Sequence, residues 1–177
     1  MPSAPAPAEN PAVTDIARLV RSAQAGDGEA FAELYQRFAR MVHGVVLARI
    51  ARTEVDDVVQ DVFMAALERI TELREPAAFG GWLAAIARHR ATDRWRRLAP
   101  VSPLTETAVP PHSHARLEAL AILDTIRSLP EAYSETLVLR LVEGMTGAEI
   151  AERTGLTPAS VRVNLHRGMK LLREKLT

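Results

Sequence analysis

The chain has 177 residues, 22 basic and 22 acidic side chains, 47% apolar residues and no cysteine. That length suits one medium domain or two small ones, and the apolar share is enough to build a core. Without cysteine a disulfide framework, a thiolate zinc site and a catalytic thiol are all excluded, and zero net charge argues at first against a nucleic-acid partner.

Residues 1–13, "MPSAPAPAENPAV", are rich in Pro and Ala and read as a disordered tail. They lack the basic and apolar segments of a secretory signal, and no run of about 18 uncharged apolar residues follows, so a cytoplasmic protein without membrane insertion is expected. Thr14 is placed to cap a short helix, Gly26 to end it and Asp27 to cap the next. In that second helix Phe31, Leu34, Tyr35, Phe38, Val42, Val45, Val46 and Ile50 recur at 3–4 spacing and predict one buried stripe. "TEVDDVVQDVFMAALERI" opens with Thr53 and Asp56 at capping-box spacing. Its expected apolar face runs from Val55 through Val58, Val59, Val62, Phe63, Ala66 and Leu67 to Ile70. In "LREPAAFGG", Pro76 and the Gly80–Gly81 pair predict a turn. A fourth helix, "WLAAIARHRATDRWRR", begins with core residues Trp82, Leu83 and Ile86 and ends in arginines.

Residues 99–115 lose helical periodicity and are proline-rich, which predicts a semi-extended tether. Helical spacing returns at Leu117, Leu120, Ile122, Leu123 and Ile126, and Pro130 suits the first turn of a helix that carries Leu137, Val138 and Leu141 and stops at Gly144. No segment alternates with period two. The expected fold class is all-α: two small helical domains, residues 14–98 and 116–177, on a flexible Pro-rich linker.

The most specific signal is "GAEIAERTGLTPASVRVNLHRG". Thr146 and Glu149 form a capping box, Gly155 supplies a tight turn, Thr157 caps and Pro158 starts the last helix. A helix-turn-helix needs a small residue where its helices cross, a turn glycine and a branched apolar anchor. Ala151, Gly155 and Val161 meet those needs, with Ile150, Leu156 and Leu165 around them. On the last helix Val161, Leu165, Leu172 and Leu176 are expected to face inward. Ala159, Ser160, Arg162, Val163, His166, Arg167 and Lys170 are left outside. Arg162 suits a bidentate contact to guanine, worth about 1–3 kcal/mol of discrimination; Arg167 and Lys170 suit phosphates. His166, with no acid or Cys at ligand spacing, reads as a surface residue rather than a metal ligand.

Charge is segregated. Residues 88–97 hold five Arg against one Asp, and residues 162–175 hold five basic residues against Glu174. Residues 53–75 hold seven acids against two Arg. Fields act over roughly a Debye length of 8 Å, so these patches matter more than the null sum.

With the C-terminal motif in place, "DDVVQDVFMAAL" followed by "FGGWLAAIARHRATDRWRR" makes the chain resemble the extracytoplasmic-function (ECF) group of bacterial RNA polymerase sigma factors, over roughly residues 14–176. The resemblance implies a dissociable specificity subunit without catalytic residues, metal or cofactor. Its first domain would bind the β′ clamp coiled coil of the polymerase core and the −10 promoter element, and its second the β flap and the −35 element. For the clamp the matching positions are Asp56, Asp57, Gln60 and Asp61, with Asp57 and Asp61 one helical turn apart. For the −10 element they are Leu73, Arg88, His89, Arg90, Arg94, Arg96 and Arg97. For the −35 element they are Thr157 together with the seven outward residues of the last helix.

Strand opening would expose bases to be read singly. An anti-sigma factor is an implied partner. Many family members have Asn at His89 and an aromatic at Leu73, so the preferred −10 bases are expected to differ. The rival expectation is a conventional dimeric helix-turn-helix regulator, which the acidic helix followed by an Arg-rich one does not resemble. A helical adaptor binding only proteins is a weaker rival, and no nucleophile–base–orienter set can be assembled for an enzyme. If the free domains pack together, the acidic strip is expected against a basic patch, hiding both DNA surfaces.

Overall fold

In the computed structural model of the chain, residues 11–98 and 114–177 are described, with side chains over 14–98 and 117–177. The tail and tether expected over 1–13 and 99–115 fall almost wholly outside them. Eight α-helices make up the described fold: α1 (Pro11–Gln24), α2 (Gly28–Leu47), α3 (Val55–Arg69), α4 (Phe79–Leu98), α5 (His114–Arg127), α6 (Glu131–Leu141), α7 (Gly147–Thr154) and α8 (Pro158–Leu176). No strand occurs among the described residues.

Helix boundaries follow local chemistry. Asp27 caps α2, its carboxylate accepting from the backbone N–H groups of Glu29 and Ala30. Gly26, at φ +95°, makes the turn before it, a conformation that other residues adopt only at a cost. Two starts differ from expectation. α1 begins at Pro11, three residues before Thr14, because proline lacks the N–H that a first helical turn would leave unpaired. The Thr53–Asp56 capping box does not form: residues Arg52–Glu54 make a 3-10 turn, and Glu54 sits at the α3 N-cap with its side chain turned to Arg94 instead.

α2 runs through the middle of the N-terminal half. Leu34, Phe38, Met41, Val42, Val45 and Val46 are buried along it, against α1, α3 and α4. Phe38 meets Phe79 edge-on at 5.1 Å between ring centroids, and Phe79 meets Trp82 at 5.8 Å. Tyr35 and Leu67, expected in the stripes, are about half exposed instead. Both line an open groove between α2 and α3, together with Phe31 and Phe63. Leu176 is likewise exposed, in the last turn of α8, where residues 173–177 are all exposed.

Gly80 and Gly81 do not break the chain. They form the first turn of α4, and the reason lies in the other half of the molecule. A Cβ at Gly80 would lie 2.4 Å from the carbonyl oxygen of Arg153, and one at Gly155 would lie 3.1 Å from the Gly81 Cα. The C-terminal half packs α6 and α7 directly on α2 and α4. Leu139 is fully buried over Gly44, where a Cβ would come within 2.6 Å of the leucine Cδ2. The guanidinium of Arg153 stands 5.6 Å over the Phe38 ring. The two helical domains therefore share a tight seam, built where glycine lets backbones approach.

Candidate nucleic-acid interface

The helix-turn-helix is α7 and α8. Thr146 caps α7 by accepting from the Glu149 N–H, while the Glu149 carboxylate accepts from the Thr146 N–H at 2.7 Å. Those hydrogen bonds hold the Glu149 carboxyl below its ordinary range. Gly155 turns the chain in the left-handed region at φ +74°, and Thr157 then caps α8 by accepting from the Ser160 N–H, with Pro158 at the first position. Val161 is buried to 1%, beside buried Ile150 and Ala151. The motif thus orients α8 with Thr157, Ala159, Ser160, Arg162, Val163, His166, Arg167 and Lys170 all exposed. None of Arg162, Arg167 and Lys170 forms an ion pair among the described residues.

The second basic patch is differently arranged. α3 and α4 pack so that the start of α3 meets the end of α4: Arg94 Nε donates to Glu54 Oε2 at 2.8 Å. That ion pair raises the Arg94 pKa, with Asp57 and Asp61 adding to the field. Asp61, Arg90, Asp93, Arg94 and Arg97 line one shallow cleft between the two helices. Arg90, Arg96 and Arg97 are exposed, and exposed His89 lies 3.2 Å from Asp93 through Nδ1. Arg88 is half-buried and committed: its Nε and Nη2 donate to the two oxygens of Glu135, at 3.0 and 2.8 Å, and this raises its pKa. Leu73 is half-buried in the loop before α4, which is pinned where the Gln24 amide donates to the carbonyls of Ile70 and Leu73.

The acidic face of α3 is open. Asp56, Asp57, Gln60 and Asp61 are all exposed. Asp56 and Gln60 border an apolar groove of about 520 Å³ floored by Phe63 and walled by Tyr35, Met64 and Leu67. The groove was missed in the sequence, although Met64 falls off the buried stripe of α3 and marks it. Trp95, 57% exposed at the end of α4, was missed as well. Among the described residues, no His, Cys, Asp or Glu cluster could hold a metal ion, and no helix is long and apolar enough to cross a membrane.

An all-α pair of domains, one carrying a capped helix-turn-helix with an open basic face, defines a DNA-binding transcription protein. The comparisons with known proteins specify it further. Residues 34–100 match the Sigma-70 region 2 family and residues 119–172 match the Sigma-70, region 4 family. The ECF RNA polymerase sigma-E factor of Haemophilus influenzae is 31% identical, over 93% of this chain and 96% of its own. The sigma factor CnrH of Cupriavidus metallidurans is 31% identical over 84% of this chain and 87% of its own. A solved structure of CnrH with the cytosolic domain of CnrY shares the fold at a TM-score of 0.64, with 27% identity, covering 92% of this chain and 97% of that one. The chain belongs to the ECF group of sigma-70 factors: it binds RNA polymerase core and directs promoter-specific initiation of transcription.

Proposed function

We propose that the labour of initiation is divided among three surfaces of this chain. Asp56, Asp57, Gln60 and Asp61 on α3 dock on the β′ clamp. Leu73, Arg88, His89, Arg90, Arg94, Arg96 and Arg97 meet the −10 element, and Thr157, Ala159, Ser160, Arg162, Val163, His166, Arg167 and Lys170 enter the major groove at −35. The division falls between a domain over 14–98 and one over 116–177. The observation that carries this reading is the outward face of α8, whose eight assigned residues are all exposed on a helix oriented by its caps and by buried Val161.

The mechanism follows from charge and geometry. A basic, exposed helix face tracks phosphates and presents Arg162 to base edges. The arginine-rich end of α4 holds the backbone where the duplex parts, so unpaired bases reach side chains in the adjoining loop. The protein supplies binding and orientation and does no bond chemistry itself, so it is not an enzyme, and it works in the cytoplasm. Its acidic face and apolar groove also suit an anti-sigma factor, by analogy with CnrH, whose solved structure holds the cytosolic domain of CnrY.

The test is run-off transcription from a genomic fragment library with purified polymerase core. The wild type gives defined transcripts, and Asp57→Arg/Asp61→Arg lowers their yield about 100-fold by placing like charges against the clamp. Discrete sites bound by a dimer, with no transcripts from any form, would favour the operator regulator instead.

A further inference from the structure

The expectation for a packed chain was an acidic strip against a basic patch with both DNA surfaces hidden. The seam is built otherwise. The α8 face stays open, and the acids of α3 face solvent or the arginines of their own domain. What crosses the seam is Glu135 on α6, whose side chain is 5% exposed in the midst of apolar Leu137, Val138 and Leu139. Its carboxylate accepts from Arg88 of α4 and lies 2.8 Å from Arg49 Nη2 at the end of α2. Its two oxygens are thus shared between two guanidinium groups from the other half, and Arg49 is itself only 10% exposed. A carboxylate so deeply buried is tolerable only while both cations stay in place.

Size makes this seam incompatible with a bound promoter. Element centres at −10 and −35 are about 25 base pairs apart, or roughly 85 Å at 3.4 Å per pair. A compact chain of this length has a radius of gyration of about 16 Å and spans roughly 40 Å. One closed molecule cannot reach both elements, so the halves must part, and the seam is what parts. Opening returns Glu135 to water, which offsets part of the lost Coulomb attraction. It also frees a guanidinium on the helix assigned to the −10 element.

We propose that Glu135 is an autoinhibitory clasp: it grips Arg49 and Arg88 to keep the two halves closed, and engagement of both promoter elements requires it to let go and hand Arg88 to DNA. The role of Arg88 rests on the reading of α4 as the −10 surface; the clasp itself rests only on the seam. A closed free chain limits the rate of promoter complex formation, and any partner that binds either face of the seam controls that rate.

The chain has no cysteine of its own, so a dye pair placed through Arg21→Cys and Lys175→Cys, both on exposed helix positions, reports the distance between halves in the full-length protein. Glu135→Gln and Arg49→Gln break the clasp electrostatically. Gly80→Ala breaks it sterically, since its new Cβ meets a backbone carbonyl that cannot rotate away. The expected result is high energy transfer in the parent, and an open fraction raised about tenfold or more in all three variants with unchanged helical circular dichroism. With polymerase core and a full promoter, those variants form the initiation complex severalfold faster. On a duplex carrying only the −35 element they bind as the parent does.

Equal transfer in parent and variants would overturn the clasp, as would a parent already open. Open variants that reach the promoter complex no faster would overturn its gating role. Transcripts from no form at all, with transfer still falling in the variants, would remove the promoter reading and leave the clasp supported.

Discussion

The two basic patches carry similar charge and meet opposite fates. On α8, Arg162, Arg167 and Lys170 stand without acidic partners among the described residues, on a helix whose start is set by its own caps. On α4, Arg94 is taken by Glu54, Arg88 by Glu135, and His89 sits beside Asp93. On the proposed assignment, the first surface needs no rearrangement of side-chain partners to meet DNA. On the same assignment, the second would exchange partners, giving up internal carboxylates for phosphates. One patch therefore suits docking on intact duplex, and the other suits a later step in which a conformational change accompanies binding.

The sharpest way to break this contrast is at Arg162. Arg162→Ala is expected to cost about 1–3 kcal/mol on the preferred −35 duplex and to relax base preference at one position. Competition binding against single-base variants of the site measures both. Uniform loss across all sequences would make Arg162 a phosphate contact and blur the distinction between reading and holding. Each of Arg167→Ala and Lys170→Ala should instead weaken all sequences alike and reduce the salt slope by about one.

A smaller effect tests the engaged patch. Glu54→Gln releases Arg94 without altering the helix register, so affinity for a forked −10 probe should rise, by at most about fivefold because the pair is partly exposed to solvent. The same substitution leaves −35 binding unchanged. Weaker −10 binding would show that Glu54 positions Arg94 for DNA rather than competing for it.

The smallest effect concerns pH and the seam. His43 on α2 lies 2.6 Å from Glu143, next to the end of α6, and Arg40 donates to the Glu143 backbone carbonyl. The hydrogen bond to Glu143 raises the His43 pKa, burial opposes this, Asp56 adds to the rise and Arg52 subtracts from it. A raised pKa means that protonated His43 favours the closed seam. That contribution is complete below about pH 6.5 and is lost as pH rises through the elevated value. Energy transfer between the halves should fall slightly from pH 6 to 8 in the parent, and His43→Gln should flatten the profile.

The sequence by itself determined what depends on neighbours three or four residues away. The helix order, the Thr146–Glu149 capping box, the Gly155 turn, the Thr157–Pro158 start and the outward set on α8 are local geometry, and each was legible because capping and helical periodicity act within one or two turns. The segregation of charge was equally legible. Tertiary structure alone decided which of those charges are free. Glu135 sits 47 residues from Arg88, and Glu54 sits 40 from Arg94, separations that leave no periodic trace. Glu135 stands two residues before the apolar run Leu137–Leu139, but nothing in the order of residues named its partners. Gly80 and Gly81 read as helix breakers because their real purpose, room for the Arg153 carbonyl and the Gly155 backbone, belongs to a segment more than 70 residues away. Pairing across such distances is settled by the packing of whole helices, which the local pattern constrains without specifying.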